Sequence, residues 1–229
     1  MDRYQKLFSK LNISFKEQNL VDQVFTHRSY LNEAKKQLSS NERLEFLGDS
    51  ILSFLVSEYL YNNYPELPEG ELTNLRSSIV KTKTLALVAS ELDLGNYLFL
   101  SKGEEEGDGR KNHSLLADTF EALLGAVYLS SGLNNVKSII TSFLLPKLTK
   151  IIEEKEYKDA KSSFQELVQD IYRVSPNYKV LEETGPDHSK QFTVGVYVND
   201  TLFGKGQGKS KQEAEQVAAH VALEKCNRK

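Results

Sequence analysis

Tryptophan is absent from this chain, cysteine and methionine occur once each, and only five prolines interrupt its 229 residues. A lone thiol, Cys226, cannot close an internal disulfide, so the sequence predicts a protein of the reducing cytoplasm. No apolar run approaches the roughly 18–20 residues a membrane span needs, which excludes a helical bilayer protein. The start, MDRYQKLFSK, has neither the continuous apolar stretch nor the small-residue cleavage site of a secretory leader. Charge of one sign is lacking too: the net charge is −3. Residues 1–159 hold 19 basic against 23 acidic residues, a balance of −4, and residues 160–229 hold 10 against 9, a balance of +1. Any nucleic-acid contact therefore has to come from local basic patches and not from a global field.

What is present is ordinary globular material, 39% hydrophobic and 27% charged, long enough to predict two domains. Apolar residues recur at three- and four-residue spacing over residues 4–11, 18–25, 41–61, 70–92, 114–131 and 134–148, which predicts six helices and an all-helical domain over residues 1–150. The charged stretch IIEEKEYKD from Ile151 loses that period, and residues 151–158 are expected to be the end of a helix running into a linker. From 159 to 229 the pattern changes. A helix over 162–174 precedes alternating strands at 177–183 and 191–199, an Asn199-Asp200 turn, a third strand at 201–206 and an alanine-rich helix at 210–225. The expected fold is thus a helical domain followed by an α-β-β-β-α domain.

The stretch NERLEFLGDS, residues 41–50, carries the chemistry. Wound as a helix, it brings Glu42, Glu45 and Asp49 into a sector of about 60°, with Phe46 beside them and Leu44 and Leu47 opposite. In LLADTFEALLG, Asp118 and Glu121 share a face next to the small Gly125, with Leu116, Phe120 and Leu123 opposite, so the two helices are able to face each other. One reading of each cluster is a solvated helix face. The other follows from the absence of Lys or Arg at matching offsets and from the packing that the apolar flanks imply. Five acids so placed make a carboxylate cage for a hard divalent cation such as Mg²⁺, which takes oxygen ligands and assists phosphoryl chemistry.

The same segments carry a resemblance. NERLEFLGDS, with THRS at 26–29, PEGEL at 68–72 and LLADTFEALLGAVYL at 115–129, is similar to the ribonuclease III family. SSFQELVQ at 162–169, PNYKV at 176–180, GPDHSKQFTVGV at 185–196 and GQGKSKQEAEQVAA at 206–219 resemble, in order, the double-stranded-RNA-binding domain. Together they cover nearly the whole chain. The resemblance implies a divalent-metal-dependent endoribonuclease that cuts duplex RNA to 5′-phosphate and 3′-hydroxyl ends with a short 3′ overhang. It implies roles in processing ribosomal RNA precursors, messenger RNA, transfer RNA and other structured RNAs. Glu45, Asp49, Asp118 and Glu121 would ligate Mg²⁺, with Mn²⁺ as a substitute, and Asp49 and Glu121 would matter most for hydrolysis. Glu42 and Glu69 would assist near the cleavage centre, Glu69 from a Pro/Gly-flanked loop. Phe46 would insert into a socket on the partner subunit of a homodimer; its alternative is an ordinary core residue.

In the second domain the resemblance assigns Ser162, Gln165 and Glu166 to one minor groove and the loop around His188 to the next. Lys209, Ser210 and Lys211 would meet phosphates at a helix N-terminus. Many relatives carry a lysine where this chain has Gln212. The remaining features read plainly. GQGKS fails as a nucleotide-binding loop because Phe203 stands where a glycine is required, so no nucleotide cofactor is expected. His27 is expected to be structural, Glu104 to Asp108 a solvated loop, and Cys226 a reduced thiol. The alternative function is a non-cleaving double-stranded-RNA-binding regulator, which would be expected to have lost at least one of the four acids.

Overall fold

A computed structural model describes residues 2–15, 17–34, 38–153, 160–186 and 190–227. They form two compact units, Met1–Tyr157 and Lys158–Lys229. Among the described residues no helix is long and apolar enough to cross a membrane.

The first unit is helical: α1 Gln5–Leu11, α2 Gln18–Val24, α3 Glu42–Asn63, α4 Glu69–Ile79, α5 Thr82–Glu91, α6 Lys102–Glu106, α7 His113–Ser131, α8 Leu133–Ile139 and α9 Pro146–Glu153. Helices α3 and α7 form its centre. Leu44, Leu52, Leu55, Val56 and Leu60 of α3 and Phe120, Leu123, Leu124 and Val127 of α7 are buried in one continuous core. Each fully buried side chain of this size contributes roughly 1.5–3 kcal/mol relative to exposure, so burial of these side chains is a large hydrophobic term for the unit. Asn112 starts α7 by accepting from the N–H groups of Ser114 and Leu115 at 2.9 and 3.3 Å, which satisfies two of the orphan donors at a helix start.

Three expectations need correction. Residues 70–92 are two helices and not one: Lys81 is extended (φ −63°, ψ 146°) between α4 and α5. No Gly or Pro marks the break. The segment contains the β-branched Val80, Thr82 and Thr84, which are weak helix formers, and the bend lets Leu75 and Ile79 on one side and Leu85, Val88 and Ala89 on the other all reach the core. Glu69, expected in a loop, is the first residue of α4. Residues 134–148 are also interrupted, by a wider turn at Ile140–Leu144 in which the Leu145 N–H donates to the Ile140 carbonyl at 2.9 Å. Proline has no N–H to give and its ring collides with the preceding turn, so α9 begins afresh at Pro146. Of the expected linker, residues 151–153 are the last turn of α9, with Ile151 buried; the rest lies outside the described residues.

The second unit has α10 Ala160–Tyr172, strands β1 Asn177–Thr184, β2 Gln191–Val198 and β3 Thr201–Gly208, and α11 Lys211–Asn227. The sheet is antiparallel in the order β1-β2-β3. Val194, Val196 and Val198 turn one face of β2 onto the helices, where Phe164, Val168, Ala218, Ala219 and Ala222 are buried, as the two-residue alternation requires. Asn199 makes the β2–β3 turn at φ +43°, a left-handed value that asparagine tolerates. Along β3 a Cβ on Gly204 would fall 2.3 Å from the Ala218 carbonyl oxygen, and one on Gly206 would fall 2.2 Å from the Ala218 nitrogen. Glycine is required there because the backbone of α11 rests directly on the strand.

Candidate active site and nucleic-acid interface

The α3–α7 crossing is close because glycine occupies both sides of it. A Cβ on Gly48 would sit 1.8 Å from the Glu121 carbonyl oxygen, and one on Gly125 would sit 2.3 Å from the Leu44 carbonyl oxygen. The approach brings acids from two distant stretches of chain together. Carboxylate oxygens of Glu45, Asp118 and Glu121 all lie within 4.8 Å of one another, each side chain partly buried.

The electrostatics follow from that crowding. Burial, then Asp49, Asp118 and Glu45, push the Glu121 carboxyl up from 4.5 to about 8. Burial raises Glu45 as well, followed by Asp118, Glu42 and Asp49. Asp118 is raised by burial and partly brought back down by His27. Asp49 is exposed at the edge of the group and adds its charge to both Glu45 and Glu121. Like charges in a poorly solvated site favour protonation of one of them, and the same excess of negative charge fits a hard divalent cation with oxygen ligands.

A cavity of about 290 Å³ opens beside the cluster, lined by His27, Arg28, Asn41, Glu42, Glu45 and Asp118 among others. Glu42 is held by Ser40 Oγ, which donates to it at 2.8 Å, and by Arg28 at 3.7 Å. Glu69 is not among the residues lining the cavity; its carboxylate accepts from Thr73 Oγ1 at 3.0 Å on the first turn of α4. His27 has the structural role expected of it and anchors a turn: its Nδ1 lies 3.3 Å from the Ser29 nitrogen and 2.8 Å from Ser29 Oγ. The same ring borders the acids, lining the cavity with Glu45 and Asp118. The THRS motif was the available signal, but nothing in local spacing places residue 27 beside residue 118. Asn41, 4% exposed, lines the same cavity and likewise has no local signal that places it there.

Phe46 is 77% exposed, which removes the core alternative for it. Phe54 and Tyr61, eight and then seven residues further along α3, are exposed on the same side of the helix. An apolar groove of about 640 Å³ lies next to Phe46, lined by Leu20, Leu44, Leu47 and Leu129. The run expected as a solvated loop, Glu104 to Asp108, is partly helical as α6, with Glu105 paired to Arg110 at 2.8 Å.

In the second unit Ser162, Gln165 and Glu166 are exposed together near the start of α10, and Lys209, Ser210 and Lys211 are exposed at the start of α11. Ser210 Oγ accepts from the Glu213 N–H at 3.1 Å, while the Glu213 carboxylate accepts from the Lys209 N–H at 2.7 Å. This reciprocal cap starts α11. His188 lies outside the described residues.

Comparison with known proteins settles the family. Residues 17–148 match the family model described as Ribonuclease-III-like, and residues 160–226 match the Double-stranded RNA binding motif. The chain belongs to the ribonuclease III family. It is 47% identical to Ribonuclease 3 of Natranaerobius thermophilus over 97% of this chain and 96% of that one. It is 45% identical to Ribonuclease 3 of Pelotomaculum thermopropionicum over 100% and 98%. The first unit resembles the solved nuclease domain of ribonuclease III from Campylobacter jejuni, a structure described for flexibility in its dimer-forming region, with TM-score 0.58, 37% identity and coverage of 62% of this chain and 95% of that one. As a ribonuclease III family member the protein is an endoribonuclease acting on double-stranded RNA.

Proposed function

We propose that the helical unit hydrolyses duplex RNA at Glu45, Asp49, Asp118 and Glu121 with Mg²⁺, for which Mn²⁺ substitutes, leaving 5′-phosphate and 3′-hydroxyl ends. The observation that carries this reading is the three-carboxylate cluster within 4.8 Å, with Glu121 pushed up to about 8. That donor set fits a hard cation and is poorly accommodated without one. A divalent cation bound there supplies charge neutralisation at the scissile phosphate and acidifies water at neutral pH. Glu45, Asp118 and Glu121 would hold it. Asp49 faces solvent beside them, and Glu42, fixed by Arg28 and Ser40, shapes the approach to the cavity. Glu69 assists RNA positioning from the start of α4.

The second unit selects duplex RNA by shape, with Ser162, Gln165, Glu166 and His188 in minor grooves and Lys209, Ser210 and Lys211 on phosphates. A homodimer formed through exposed Phe46 and the neighbouring apolar groove would bring two such sites to one duplex and give the staggered cuts. The targets are ribosomal RNA precursors and other structured RNAs in the cytoplasm.

The test is cleavage of an end-labelled perfect RNA duplex in Mg²⁺, in EDTA, and by Glu121→Gln in Mg²⁺, with binding measured beside each. Cutting only by the unmodified chain with metal, and retained binding by the variant, is expected. Binding without cutting in every divalent metal would overturn the nuclease reading and leave a duplex-RNA-binding regulator.

A further inference from the structure

Lys211 already has an anionic partner within its own unit. Its Nζ lies 3.1 Å from Glu183 Oε1 and 5.5 Å from the centre of the Phe192 ring. Glu183 and Phe192 are register partners on β1 and β2, so one cross-strand pair receives the lysine with a carboxylate and an aromatic face. The other oxygen of Glu183 lies 3.8 Å from Lys190 Nζ. One carboxylate on the sheet edge therefore serves two lysines, one on the strand side and one at the start of α11. A second acid, Glu213, accepts the Lys209 N–H at 2.7 Å just before that helix begins.

Exposed ion pairs of this kind are weak and screened by salt. They hold a side chain in place without locking it. A phosphate arriving at Lys211 meets a cation whose charge is already partly balanced by a group tethered to the same unit. The lysine then neutralises the phosphate less completely, and fewer condensed counter-ions leave the RNA.

We infer that Glu183 is an intramolecular counter-ion for Lys211 and Lys190 that stands in for an RNA phosphate, and that it sets the strength and salt dependence of duplex binding. The inference rests on the reading of Lys211 as a phosphate contact. Glu183 holds the two lysines in the free protein and yields part of their charge to the RNA when it binds. Its removal leaves Lys211 and Lys190 in place without this carboxylate.

The experiment uses the full chain carrying Glu121→Gln, so that RNA is bound without being cut, and a fluorescently labelled 24-base-pair RNA duplex titrated at several salt concentrations. Glu183→Gln, which keeps the side-chain length, is expected to tighten binding by roughly 3- to 10-fold near 0.1 M salt. It is also expected to steepen the slope of log K against log salt by up to about one unit. Glu183→Ala should act in the same direction. Both gains should vanish when Lys190 and Lys211 are changed to Ala together. Unchanged or weaker binding by both variants, an unchanged slope, or a gain that survives loss of the two lysines would overturn the inference. Lys209→Ala with Lys211→Ala is the separate control. If it leaves duplex binding unaltered, the phosphate reading of Lys211 has failed first, whatever Glu183 does.

Discussion

Gly48 and Gly125 face each other across the α3–α7 crossing, a Cβ on Gly48 falling 3.1 Å from the Gly125 nitrogen and one on Gly125 falling 3.2 Å from the Gly48 nitrogen. No side chain separates the two helices there. The distance between Glu45 on one helix and Asp118 and Glu121 on the other is therefore set by backbone contact.

Gly125→Ala is expected to push the helices apart. Overpacking of this kind costs about 1–3 kcal/mol, and the separation should also loosen the carboxylate cluster. Thermal melting should show a lower Tm. Calorimetric titration of Mn²⁺ should show weakened affinity beyond what partial unfolding explains, measured well below the new Tm.

Glu121 supplies a pH dependence in the metal-free protein. Its folded value near 8 lies above the ordinary 4.5, so between those values the folded chain binds more protons than the unfolded one. Stability from this group is complete below about pH 4.5 and is lost as pH rises through about 8. With EDTA present, the Tm of the unmodified chain should fall relative to Glu121→Gln across that window. Parallel Tm curves for the two would count against the shift.

Cation binding at neutral pH should displace protons from the same group, because a carboxylate must be ionised to act as a ligand. Titration of Mg²⁺ at pH 7 in buffers of different ionisation enthalpy is expected to report release of a fraction of a proton to on the order of one per site, shrinking toward pH 9. Glu121→Gln should remove most of it.

Phe46→Glu is expected to separate a dimer into single chains while each remains folded, because the ring is exposed and makes no core contact in the chain itself. Light scattering behind size-exclusion chromatography reads the mass directly, and an unchanged dimer would show that Phe46 is not the contact.

Much of this was legible in the sequence, for identifiable reasons. Glu45, Asp49, Asp118 and Glu121 lie on long helices whose apolar period is clear, so their faces could be derived from spacing alone. Gly125 was visible as a small residue beside them, and the structure shows what it permits. The first two strands followed from alternation, and the turn and third strand from the Asn199-Asp200 pair. The break at Lys81 did not, because tertiary packing of Leu75, Ile79 and Leu85 overrides a helical pattern that has no Gly or Pro in it. The wider turn before Pro146 has that proline as its only local signal. His27 and Asn41 were missed as neighbours of the acids because contacts between residues so distant in sequence leave no local period.

The seam between β3 and α11 leaves a different kind of mark. Gly204 and Gly206 on one side meet Ala218 and Ala222 on the other with no room between. Most seams in proteins drift by exchange, one side growing as the other shrinks. Here there is little to give up: glycine is already the smallest residue, the helix side offers only alanine, and what the glycines touch is mainly main chain. A larger residue on the strand cannot be matched by a smaller one on the helix. The elements that carry Lys209 and Lys211 are thus held in register by main-chain contact, and a side chain added at Gly204 or Gly206 would shift α11 against the sheet.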